Sequence, residues 1–148
     1  KSGNPKAIVL TRQNLEYLKF ENSYQDFITG ASIVSEGSEI TIFASGSELE
    51  LAFAVKGALK ENSIRIVSTP ILNKLENISS ETLNDLKVSD LNFTIELGRS
   101  VGWATYLGPI TRSFSIDEFG TSAPIKSLQE EYKFTVENIS SEIKKFLN

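Results

Sequence analysis

The chain has 148 residues, the size of one ordinary domain, and can bury a core without disulfides or metals. Its apolar share of 40%, charged share of 23% and net charge of −4 suit a globular protein. Acidic and basic residues are interspersed, so there is no basic stripe for nucleic acid. No uncharged apolar run could span a membrane, and no signal-peptide pattern opens the chain. The absence of cysteine and histidine excludes disulfides, thiolate nucleophiles, cysteine-ligated zinc and a Ser-His-Asp triad. Methionine is missing even at position 1, so the chain reads as a fragment or a processed product.

The opening Lys1 to Lys6 is polar and reads as a tail or linker. Ala7 to Leu10 fits a short strand, and the stretch on to Thr29 has no clear period. Ala31 to Val34 suits another strand. Ile40 to Ala44, β-branched and aromatic, is the best strand of the chain. Ser45-Gly46 breaks it. Ser47 and Glu50 have the spacing of a capping box, and Leu51, Val55, Ala58 and Leu59 give the following helix an apolar face. Ile64 to Val67 is the next strand. This strand–helix–strand order is a βαβ unit and implies a parallel pair.

Glu81 to Val88 suits a short helix with Leu83, Leu86 and Val88 inward, and Asn92 to Leu97 a strand. Trp103 to Leu107 is ambiguous, and Ile110 to Ile116 fits a late strand. Pro124 stands where a helix begins, with Leu128 on its inner face. Thr135 caps the last helix, whose Val136, Ile139, Ile143 and Leu147 share a face, with Lys144 and Lys145 in its last turn. The expected fold class is α/β, a three-layer sandwich: a mostly parallel sheet of about five strands with helices on both faces. Its core should include Ile42, Val55, Ile66, Ile95 and Ile143.

Five features bear on function. Ser45-Gly46-Ser47 joins a strand to a helix N-terminus, a place that can bind phosphate. One glycine is too few for a dinucleotide fingerprint, and a plain βα turn accounts for it. Glu48 and Glu50 stand at i and i+2 and do not face one another, so their place in a first helical turn is explained by the dipole. Glu96 ends an apolar strand, where α/β folds place ligands, but pairing with Arg99 or Arg112 explains a charge there at least as well. Trp103 reads as core or interface. Arg12 follows an apolar run among Thr11, Gln13 and Asn14, and by spacing alone is a surface arginine.

Six strings together resemble transketolases. Leu10-Thr11-Arg12-Gln13-Asn14-Leu15 is similar to that family's Ser-Arg-Gln-Asn-Leu, near the end of its pyrimidine-binding domain. Ala44 to Ala52 is similar to Ala-Thr-Gly-Ser-Glu-Val-x-Leu-Ala, and Arg65 to Pro70 to Arg-Val-Val-Ser-Met-Pro. Glu96-Leu97-Gly98 with Gly102-Trp103 resembles Glu-Ala-Gly with a downstream tryptophan. Phe119 to Pro124 matches Phe-Gly-x-Ser-Ala-Pro, and Phe134 to Asn138 matches the start of the closing helix. The departures are Lys133, where the family has glycine, and Thr69 and Ile71, where it has methionine and serine.

The resemblance implies residues 1–29 as the tail of a pyrimidine-binding domain with its linker, and residues 30–148 as the C-terminal domain. It implies a full-length, cytoplasmic, homodimeric enzyme that passes a two-carbon ketol unit between sugar phosphates in the pentose phosphate pathway. Thiamine diphosphate and a divalent metal, Mg or Ca, would be its cofactors. None of its catalytic, cofactor-binding or metal-binding residues is expected in this chain, which lacks the Gly-Asp-Gly motif and should be inactive alone. Its expected partners are the parent's other domains, and its expected role is support of the dimer or binding of a regulator. Arg12 is the one functional residue that carries over, as a ligand of the substrate phosphate. The alternatives are a free-standing ligand-binding or regulatory α/β module and the C-terminal domain of another thiamine-diphosphate enzyme.

Overall fold

The strands form where β-branched residues cluster between turn formers. In the computed structural model, residues 28–147 are described, with residues 3, 5, 7, 8, 10, 11, 13–16 and 18 of the N-terminal stretch. Five strands are β1 (Ser32–Ser35), β2 (Ile40–Ala44), β3 (Ile64–Ser68), β4 (Asn92–Ile95) and β5 (Arg112–Phe114). They make one sheet in the order β1-β3-β2-β4-β5. β2 pairs in parallel with both β3 and β4, and β5 is parallel to β4. With neighbours on both sides and layers on both faces, every residue of β2 is buried, which explains its unbroken apolar run.

The edge strand β1 runs antiparallel to β3, with a register shift between Ile33 and Ser35. Such a bulge twists an edge away from pairing with another chain. Gly37, in the turn after β1, lies so close to β3 that a Cβ there would sit 2.1 Å from the carbonyl carbon of Ile64. Only glycine fits that approach.

Helices α1 (Glu48–Ala58) and α5 (Val136–Lys144) cover one face. They meet Ile40, Ile42, Ile64, Ile66, Phe93 and Ile95 in the larger core cluster. A 3-10 segment (Leu72–Asn77), α2 (Ser80–Asp85) and α3 (Val101–Leu107) cover the other, where Phe43 and Val67 meet Leu75, Leu86, Trp103 and Leu107. Strand alternation divides the residues between the two layers. The remaining helix, α4 (Ile125–Glu131), starts after Pro124 and has no buried residue. All five expected core residues are fully buried.

Some elements differ from expectation. Ala7, Ile8 and Leu10 lie outside regular structure and are exposed, Ile8 by 82% and Leu10 by 81%; Val9 lies outside the described residues. So short a strand needs a sheet edge, and the described residues of this stretch pair with none. The ambiguous stretch around Trp103 is the helix α3, with Trp103 and Leu107 buried. In α1 the inward residues are Leu49, Ala52 and Val55, with Leu59 just beyond, while Ala58 is exposed. The capping box does not form: Ser47 has helical dihedrals and its side chain accepts no backbone amide.

Candidate functional site

The carboxyl ends of parallel strands are where an α/β sheet gathers loops. Here the ends of β3, β2 and β4 lie side by side, as the register Ser68, Ala44, Ile95 shows. The ladder runs one residue further, since the Thr69 amide donates to the Ala44 carbonyl and the Glu96 amide to that of Phe114. That brings the β2–α1 turn beside the end of β4. Ser45 Oγ donates to Glu96 Oε2 at 3.0 Å, and Ser47 Oγ to Glu48 Oε1 at 2.7 Å. Gly46 between them has φ +52, a left-handed conformation that suits glycine.

Two carboxylates are thus tied to one turn. Burial pushes the Glu48 carboxyl above the ordinary range, against the opposing bonds from Ser47 and its own backbone amide. Burial also raises Glu96, opposed by the Ser45 bond and reinforced by the charge of Glu48. Neither carboxylate takes part in the ion pairs among the described residues, which join Arg65 to Glu36, and Arg112 and Lys145 to Glu142. The expected pairing of Glu96 with Arg99 or Arg112 does not form. Arg112 is held by Glu142, and Arg99 acts on Asp117, whose carboxylate accepts from the Ser100 amide and hydroxyl and from Ser115. The serine hydroxyl is nearer to hand and satisfies the carboxylate without ordering a long side chain.

Glu48 is buried while Glu50 is exposed, so the two do not act as a pair. Trp103, 2% exposed, is core. Arg12 lies outside the described residues. Of its neighbours, Thr11 Oγ1 donates to Gln13 Oε1 at 2.6 Å. The sequence reading missed that Glu48 and Glu96 are tied to one turn. Each stood out separately, but their shared attachment to one turn depends on β2 and β4 being sheet neighbours although β3 separates them in the chain.

The transketolase-like C-terminal domain family matches residues 30–135. The chain belongs to the transketolase family. A transketolase of Halalkalibacterium halodurans is 36% identical over 152 residues, covering 97% of this chain and 23% of the relative. That of Bacillus subtilis is 36% identical over 98% of the chain and again 23% of the relative. Among solved structures, transketolase from Leishmania mexicana superposes with a TM-score of 0.80 at 27% identity, over 90% of this chain and 20% of that one. The chain therefore spans less than a quarter of the length of these three relatives.

One departure from the family strings has a structural counterpart. Lys133, where the resemblance expects glycine, has φ 57, the only positive φ outside glycine among the described residues. It follows α4 in a Schellman turn: its amide reaches the Glu130 carbonyl, and that of Phe134 reaches Gln129.

Proposed function

We propose that this chain is the C-terminal domain of a transketolase that moves a two-carbon ketol unit from a ketose phosphate to an aldose phosphate in the pentose phosphate pathway. The observation that carries this reading is family membership along the chain's own length, with relatives about four times as long. In the proposed enzyme the domain works in the cytoplasm as part of a homodimer, packed against the parent's other domains. It supports that assembly or binds a regulator, and is inactive alone.

The family implies thiamine diphosphate and a divalent metal. The residues present do not fit them. There is no histidine and no Gly-Asp dipeptide. No group of three acidic residues suited to a metal occurs among the described residues. The two carboxylates at the sheet's carboxyl end are bound to serine hydroxyls and resist ionisation. No catalytic step is assigned to this chain.

Within the same proposal, Arg12 binds the substrate's phosphate in the full-length enzyme. The support is its place in the Leu10 to Leu15 string and the match of a planar guanidinium to phosphate oxygens. It takes no part in proton transfer, because its proton is held too tightly. In the full-length enzyme Arg12→Ala should raise KM for phosphorylated substrates by about one to two powers of ten, with little loss of kcat. Arg12→Lys should recover part of that. Steady-state kinetics with phosphorylated and unphosphorylated acceptors side by side is the test. Equal losses on both acceptor types would show that Arg12 is structural.

A further inference from the structure

A buried glutamate is ordinarily paired with a cation or an array of amides. Glu48 is 7% exposed, and its side chain takes one serine hydroxyl and its own backbone amide. Glu96, half-buried at the neighbouring strand end, takes another hydroxyl from the same turn. Each hydroxyl has one proton to donate, and each is committed to a different carboxylate. The turn Ser45-Gly46-Ser47 is therefore strapped between two negative charges that repel one another across it.

Among the described residues, no cation of the surrounding elements forms an ion pair with either carboxylate. On α1, Glu50 is exposed, and Lys56 donates to Ser35 Oγ, the Glu36 carbonyl and the Ile64 carbonyl. Beyond β4, Arg99 acts on Asp117, which Ser100 and Ser115 hold. On β5, Arg112 pairs with Glu142 of α5. The end of β3 offers only Ser68 and Thr69, and in the 3-10 segment Lys74 donates to the Ile28 carbonyl.

We infer that Glu48 and Glu96 together form a proton-binding site, which takes up one proton ahead of an ordinary carboxyl as pH falls and thereby tightens the β2–α1 turn against the end of β4. One proton suffices. Once either carboxyl is neutral the repulsion is gone, and the other keeps its serine donor as an ordinary hydrogen-bonded carboxylate. The two groups titrate as a pair.

The sign follows from burial. A carboxyl with a raised folded value binds its proton more tightly when folded. Its destabilising effect is absent below the ordinary value of 4.5 and grows as pH rises through the raised value. The contribution of this pair to stability should therefore rise as pH falls toward 4.5. Asp117 and Glu142 are held low, so the stability they contribute is lost only at lower pH, below 3.8 for Asp117 and below 4.5 for Glu142.

Thermal unfolding of the 148-residue chain, stepped from about pH 7.5 to about pH 5, tests this. The melting temperature should rise by about 4 °C across that range. In Glu48→Gln or Glu96→Gln the rise should fall to less than about half, because the surviving carboxyl has lost its neighbour's charge. An undiminished rise in either variant, or a melting temperature that falls in the wild type, overturns the inference. Carbon-13 NMR titration of the wild-type glutamate carboxyls decides the matter should a variant fail to fold. Two carboxyls titrating together above the others support it, and none above the ordinary range sinks it.

Discussion

The two faces of the sheet use the same strands and differ in chemistry. Under α1 and α5, fifteen buried apolar residues form the larger core, spread over all the strands except β1. Under α3 and the 3-10 segment, seven suffice. On that second side lie Asn92 and Thr94, which alternate with the inward Phe93 and Ile95, and each has a buried oxygen without a hydrogen-bond partner. What the second face lacks in apolar contact it replaces with ties to backbone. Thr41 Oγ1 accepts the Val88 amide at 3.1 Å, and Lys87 Nζ donates to the Leu107 carbonyl at the end of α3. Desolvation lowers the pKa of that ammonium. The first layer is held by burial, which scales with area; the second depends on a few directed bonds around small helices.

The sharpest way to break this comparison is to cut a cavity on each side. Ile143 is fully buried between α5 and the sheet. Ile143→Ala should cost about 3–5 kcal/mol, the lost transfer energy plus a cavity that the sheet cannot collapse. Leu86, 8% exposed at the rim of the smaller cluster, has room to relax, and Leu86→Ala should cost about 2 kcal/mol. Urea unfolding of both variants measures the pair. A larger loss at Leu86 would mean that the thin layer carries the fold.

A stabilising substitution sharpens the contrast. Phe134 belongs to the larger core, and the turn that delivers it passes through Lys133 at φ 57. A side chain in the left-handed region costs about 1 kcal/mol that glycine does not incur. Lys133→Gly should raise stability by up to about 1 kcal/mol, offset in part by the greater freedom of glycine in the unfolded chain. An unchanged or lower midpoint in the same unfolding experiment would show that the lysine makes a compensating contact.

How far the sequence foretold these layers depends on what sets each feature. β2 and β3 were legible because β-branched runs between turn formers leave few alternatives, and α5 because its apolar period and Thr135 agree. The Trp103 region was not, since a seven-residue helix with two glycines nearby has little propensity of its own and forms by docking Trp103 and Leu107. Glu48 and Glu96 were visible singly, one in a first helical turn and the other at a strand end. Their attachment to one turn required the strand order, which pairs β2 with β4, and local pattern does not encode it. The Ser47–Glu50 spacing misled because Ser47 is already helical, so its hydroxyl turns to Glu48.

That last misreading supplies the smallest and most discriminating test, since α1 and α5 cover the same face and begin differently. Thr135 is extended, and its Oγ1 accepts the Asn138 amide at 3.2 Å, a working N-cap. Thr135→Ala should cost about 1 kcal/mol, from an amide left without its acceptor. At the start of α1, Glu50 is exposed, and the box that would send its carboxylate back to the Ser47 amide is not formed. What Glu50 retains is the attraction of a charge to the helix dipole, screened by water. Glu50→Gln should therefore change stability by less than about 0.5 kcal/mol, with any loss fading as salt is added. The same urea titration, run at low and high ionic strength, separates the cases. A salt-independent loss near that of Thr135→Ala would mean that the capping box forms in solution after all. The larger face would then be entered through two capped helices instead of one.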